Sequence, residues 1–129
     1  MRPKNSLIRL KQFQVTEKHR QVDQLETMIS EFERMAGELD NQIQSEERKA
    51  KISDINHFAY PTFAKAARTR RDNLMNSIND LKVQKEAAET ALLDAEAELQ
   101  KAERLEVREA RGIEEAPVEP VVDRSAMIG

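Results

Sequence analysis

Ile8, Val15, Val22, Ile29, Ala36, Ile43 and Ala50 stand one heptad apart, and all are apolar in a chain that is only 39% hydrophobic. An apolar residue at every seventh position lies along one seam of a slightly underwound helix, so the run predicts a coiled coil. The positions three residues on are Lys11, Lys18, Leu25, Phe32, Leu39 and Glu46, which makes the seam dry in the middle and polar at both ends.

The first helix is expected from about residue 6, capped by Asn5 or Ser6, to about residue 51, a length of about 65 Å. Gly37 is a soft point within it, costing about 1 kcal/mol against Ala. A loop is predicted over about 52–60, where Ser53, Asp54 and Asn56 favour turns and Pro61 forces Tyr60 into extended geometry. The second helix should occupy about 61–111 and end at Gly112. Its seam alternates by four and three through Ala67, Leu74, Ile78, Leu81, Lys85, Ala88, Leu92, Ala95, Leu99 and Ala102. A loop this short returns the chain only as an antiparallel neighbour. The expected fold class is therefore all-α, a long antiparallel two-helix coiled-coil hairpin over 1–111 followed by a disordered acidic, Pro-containing tail over 112–129.

One register places Val15 opposite Ala102, Val22 opposite Ala95, Ile29 opposite Ala88, Ala36 opposite Leu81 and Ile43 opposite Leu74. Large then faces small throughout, Lys11 falls near Glu106 and Glu46 near Arg71, and Phe32 against Lys85 is the one mismatch. A slip of one heptad would set Lys11 on Leu99 and Leu39 on Arg71, stranding charge on apolar surface, so the first register is expected.

Composition supports helices and argues against a conventional globular core: 35% of the 129 residues are charged, 4% are aromatic, and there are no Cys or Trp and three Gly. The absence of Cys removes disulfides and thiol chemistry and fits a reducing compartment, which makes cytoplasm the expected location. No apolar run approaches a membrane span and Met1 to Leu10 lacks the core of a secretory signal, so direct membrane insertion is not expected. Charge is blocked. Residues 1–22 carry six basic residues against Glu17, 23–47 eight acids against Arg34, 48–71 seven basic residues against Asp54, and 72–129 fourteen acids against seven basic residues. Antiparallel pairing sets the first, basic block beside the acidic second helix, which accounts for it without nucleic acid. The basic residues are also too dispersed for a DNA-gripping face.

His19 and His57 lie far apart with no second ligand at helical spacing, and a thin hairpin offers no cleft to desolvate paired carboxylates such as Glu46 and Glu47 or Glu114 and Glu115. With no phosphate loop or nucleophile motif either, no enzyme activity, metal or cofactor is expected. The most anomalous segment is HFAYPTFAKAARTRRDNL, His57 to Leu74. Phe58, Tyr60 and Phe63 crowd into six residues and Lys65, Arg68, Arg70 and Arg71 follow. Some of these rings can plug the hairpin end against Ile52 and Ile55. A hairpin tip holds too little protein to bury all three, so an exposed aromatic and arginine patch is expected there as a partner-binding site, carried by Phe58, Tyr60, Phe63, Arg68, Arg70 and Arg71.

That segment, above all HFAYPTFAKAA (His57 to Ala67) and RRDNL (Arg70 to Leu74), resembles the short alphaproteobacterial form of the flagellar export family FliJ. So do ERMAGELDNQIQSEE (Glu33 to Glu47) and SLIRLKQFQV (Ser6 to Val15), and the likeness covers roughly residues 5–110. The resemblance implies a cytoplasmic stalk, peripheral at the membrane-bound flagellar type III export apparatus. Its partners would be the hexameric FliI-type export ATPase, the cytoplasmic domain of the FlhA-type export gate, and export chaperones. The ATPase would meet the paired termini, about Lys4 to Val22 with Ala95 to Arg111, where Lys4, Arg9, Lys11, Lys18, Arg104 and Arg108 are the candidate contacts. The gate would meet the loop end. The rival readings are a generic coiled-coil scaffold or self-associating dimer and a prefoldin-like holdase, the latter requiring oligomerising strands that the sequence does not offer.

Overall fold

The computed structural model describes residues 3–112, and side chains from residue 5 onward. They form two helices, α1 (Pro3–Ala50) and α2 (Thr62–Arg111), with no strand among the described residues. Apart from Gly112, the expected tail lies outside the described residues. Helix α1 begins earlier than Asn5 or Ser6 would cap it. Pro3 stands in the first turn instead, where its fixed φ suits helix and its missing N–H is no loss. Gly37 is an exposed interior position, and a Cβ added there would meet nothing within 4 Å.

Helix α1 ends in a Schellman motif. The Ile52 N–H donates to the Glu47 carbonyl (3.2 Å), the Lys51 N–H donates to that of Arg48 (3.3 Å), and Lys51 adopts φ 58°. Glycine usually holds this left-handed position because a Cβ crowds the backbone there. Two turns follow, closed by His57 N–H to the Asp54 carbonyl and Tyr60 N–H to the His57 carbonyl, each 3.0 Å. The Pro61 carbonyl then accepts from the Lys65 N–H at 3.0 Å to open α2.

The chain divides into two compact units, one formed by Arg20–Thr90 and one by the segments on either side of it. In the Arg20–Thr90 unit, the antiparallel helices bury Val22, Ile29, Ala36 and Ile43 of α1 and Ala64, Ala67, Ile78 and Leu81 of α2. The other unit buries Ala102 and half-buries Ile8, Val15, Ala95 and Leu99. The heptad ladder thus faces inward from Ile8 to Ile43, while Ala50, the last helical residue, is exposed.

The register differs from the expected one. Ile29 packs with Ile78 and Leu81, flanked by Leu25 and Phe32, and does not sit opposite Ala88 as the large-on-small pairing required. Arg71 pairs with Asp40 (2.6 Å) where Glu46 was expected, and Lys85 with Glu26 (3.3 Å). In the Arg20–Thr90 unit the pairing is the register displaced by one heptad. In the terminal unit Lys11 pairs with Glu98 (3.6 Å), not Glu106. Two physical causes decide it. Helices ending at Ala50 and starting at Thr62 around a compact loop centre the hairpin closer to Ile55 than the expected register allows. The stranding penalty also does not arise: Lys11 and Arg71 are half-buried, yet their long side chains bring their charges to the more exposed acids Glu98 and Asp40.

Backbone fit at two positions leads to a stability prediction. Gly37→Ala should stabilise the protein by about 1 kcal/mol through helix propensity, and Lys51→Gly by about 0.5–1 kcal/mol through relief of the left-handed backbone. Urea unfolding followed by circular dichroism measures both, and a loss of stability in Lys51→Gly would contradict the helix-end geometry.

Candidate partner-binding surfaces

The three rings of the loop segment part company. Tyr60 is buried, and its hydroxyl donates to Glu47 Oε2 (2.6 Å) while accepting from Arg68 Nε (2.9 Å). Arg68 Nη2 closes the triangle by donating to the same Glu47 oxygen at 3.1 Å, and the Glu47 side chain is only 15% exposed. Tyr60 is therefore the plug, and neither it nor Arg68 belongs to an open patch. Arg71, bonded to Asp40 and Asp72, is likewise committed within the hairpin. Of the expected partner residues, Phe58, Phe63 and Arg70 remain exposed. The expected backing for a plug is only partly present, since Ile52 is half-buried but Ile55 is exposed.

The triangle perturbs its own members. The Tyr60 hydroxyl, and after it Arg68, hold the Glu47 carboxyl below its ordinary range. Burial first, then the Glu47 hydrogen bond, push the Tyr60 hydroxyl upward. Hydrogen bonds to Tyr60 and then Glu47 raise Arg68, and those to Asp40 and then Asp72 raise Arg71.

Phe63 lies one heptad before Arg70 on α2, and Arg70 lines a groove of about 510 Å³ with Phe32, Met35, Leu39 and Leu74. Glu38 at its rim is neutralised by Arg34 (2.7 Å), whereas Arg70 has no hydrogen bond or ion pair among the described residues. An apolar groove with one uncommitted arginine is suited to an apolar, acid-bearing protein segment. The signal for it lay in Met35, an apolar residue beside the seam that lines the groove.

In the terminal unit, Lys4 lies outside the described side chains, Lys11 is tied to Glu98, and Lys18 is half-buried. Arg9, Arg104 and Arg108 are exposed, and the two α2 arginines border a shallow hollow with Val107. Beside them stand exposed apolar residues that were not anticipated, Leu10, Phe13 and Leu105 among them. Leu10 and Phe13 occupy heptad positions that point away from the seam, and that misplacement is legible in the sequence. Among the described residues no group of three or more His, Asp or Glu could hold a metal ion, and no helix is long and apolar enough to cross a membrane. No known family, curated protein or solved structure matches the chain.

The triangle makes stability depend on pH in two opposite senses. Glu47, with its lowered value, contributes stability that is present above the ordinary carboxylate range near 4.3 and is lost as pH falls through the lowered value. Tyr60, with its raised value, contributes stability that is present below about 10 and is lost as pH rises through the raised value. In thermal melts Glu47→Gln should flatten the acid limb of the midpoint against pH. Tyr60→Phe should lower the midpoint at neutral pH, by about 1 kcal/mol in stability, and flatten the alkaline limb. An unchanged acid limb in Glu47→Gln would contradict the triangle.

Proposed function

We propose that this chain is a non-enzymatic stalk and chaperone-binding component of a flagellar type III protein export ATPase complex, linking a FliI-type ATPase ring to an FlhA-type export gate. One observation carries the proposal. The segment that resembles the FliJ family most specifically, His57 to Ala67, is also the segment that builds the end of the helical hairpin: Tyr60, Ala64 and Ala67 point inward and Phe63 outward.

A coupling protein needs no reaction chemistry of its own. It needs elements that transmit displacement and surfaces that different partners can hold. Helices α1 and α2 are unbroken over 48 and 50 residues, and packed helices pass on a rotation or bend that a flexible linker would dissipate. In this proposal the ATPase grips the terminal segments through Leu10 and Phe13 with Arg9, Arg104 and Arg108. The gate domain takes the groove lined by Arg70, together with Phe63 one heptad before it on α2. Exposed Val83 and Leu93, each on the outer side of α2, favour a second reading as a self-associating scaffold; light scattering of the purified chain separates the two.

With purified, helical protein, Phe63→Ala combined with Arg70→Glu should weaken capture of the gate domain at least tenfold and leave capture of the hexameric export ATPase unchanged. Leu10→Ala combined with Phe13→Ala should do the reverse. Failure of the folded wild-type chain to bind either partner would overturn the proposal.

A further inference from the structure

Phe58 is 96% exposed at the apex of the loop, so one of only five aromatic rings contributes no buried area to the fold. The loop does not leave it to flap. Beyond the two turn hydrogen bonds, Asn56 N–H donates to Asp54 Oδ1 (2.9 Å) and Ala59 N–H to His57 Nδ1 (3.0 Å), and the His57 ring stacks on Phe58 with centroids 4.8 Å apart. The backbone donors of residues 56, 57, 59 and 60 are thus satisfied within the loop, which ties down the backbone on either side of Phe58. Ile55 and Ala59 beside it are exposed as well.

Basic residues flank the loop on both sides. Arg48 and Lys51 stand at the end of α1 and Lys65 in the first turn of α2, and none of the three side chains has a hydrogen bond or ion pair among the described residues. The one acid between Arg48 and Arg71 is Asp54, whose carboxylate already accepts from the Asn56 N–H.

We propose that the loop end docks on an anionic lipid surface, with Phe58 seated at the boundary of headgroups and acyl chains and Arg48, Lys51 and Lys65 on lipid phosphates. An exposed ring with unpaired cations on the flanking helix ends matches a soft anionic surface, which needs no shaped pocket. A protein partner is better served by the separate groove at Arg70. One inserted ring is a weak anchor by itself, and interfacial binding of this kind takes a second, electrostatic signal, which the three cations supply. This is surface docking, distinct from a membrane span, and it stands independently of the stalk proposal.

Co-sedimentation of the full chain with vesicles tests it without ATPase or gate protein present. Vesicles of phosphatidylcholine containing phosphatidylglycerol should bind the chain, vesicles of phosphatidylcholine alone should not, and raised salt should release it. Each cation neutralised should cost about fivefold in partitioning, so Arg48→Gln, Lys51→Gln and Lys65→Gln together should cost about a hundredfold. Phe58→Ala should cost about tenfold with helicity unchanged by circular dichroism. The inference is overturned if the anionic vesicles fail to bind the wild-type chain, or if binding is indifferent to both sets of substitutions. It is equally overturned if the chain binds a soluble polyglutamate peptide and not the vesicles, which would assign the apex to an acidic protein.

Discussion

A hairpin of two helices has one seam to bury, and this seam is closed at its loop end by a single buried hydroxyl. Tyr60 holds Glu47 of α1 and Arg68 of α2 in one hydrogen-bonded triangle, so the place where the chain turns back also determines which turn of one helix meets which turn of the other. From there a ladder of acids one heptad apart runs along the edge of α1. Asp40 meets Arg71, Glu33 meets Lys82 and Glu26 meets Lys85. Exposed pairs of this kind contribute about 0–1 kcal/mol each, too little to hold the fold together. They do not select the register by themselves, since a slip of one heptad would hand Arg71 to Glu47, Lys82 to Asp40 and Lys85 to Glu33; that slip is opposed by the triangle at Tyr60 and by the packing of Ile29 on Ile78 and Leu81, where the apolar contribution lies.

That arrangement explains how so few large residues suffice, and why the remainder stay outside. Once Tyr60 fills the end of the hairpin and the arginines at 68 and 71 are drawn inward, Phe58, Phe63 and Arg70 are left with no internal role. They separate into an apex flanked in the chain by Arg48, Lys51 and Lys65, and a face of α2 that reaches Arg70 in the groove beside Phe32 and Leu39. Two surfaces of different chemistry therefore arise from one aromatic cluster.

Much of this was legible in the residues. The apolar ladder and the four-and-three seam of α2 both face inward, and Pro61 and Asn56 marked the loop. Register was not legible, for a reason that generalises. Weighing Lys11 and Arg71 as point charges stranded on apolar surface ignored the length of their stems, which lets half-buried side chains still bring their charges to more exposed acids. Glu26, Glu33, Asp40 and Glu47 are spaced by sevens, so they present the same pattern of acids in either register and do not discriminate the two. Burial of one ring among three depends on which one a carboxylate can reach, and composition does not encode that. Lys51 in a position suited to glycine gave no signal at all.

The register of α1 against α2 positions the triangle and both surfaces, and the absence of native cysteine allows it to be measured cleanly. Cysteines introduced in pairs, Ile29→Cys with Leu81→Cys and Ile29→Cys with Ala88→Cys, can be treated with a short thiol-specific cross-linker at high dilution and the intramolecular product quantified by mass spectrometry. Efficient closure of the first pair with little of the second is the predicted result. Preferential closure of the second would mean that the helices meet one heptad away, and would contradict the triangle, the acidic ladder and the surfaces derived from them.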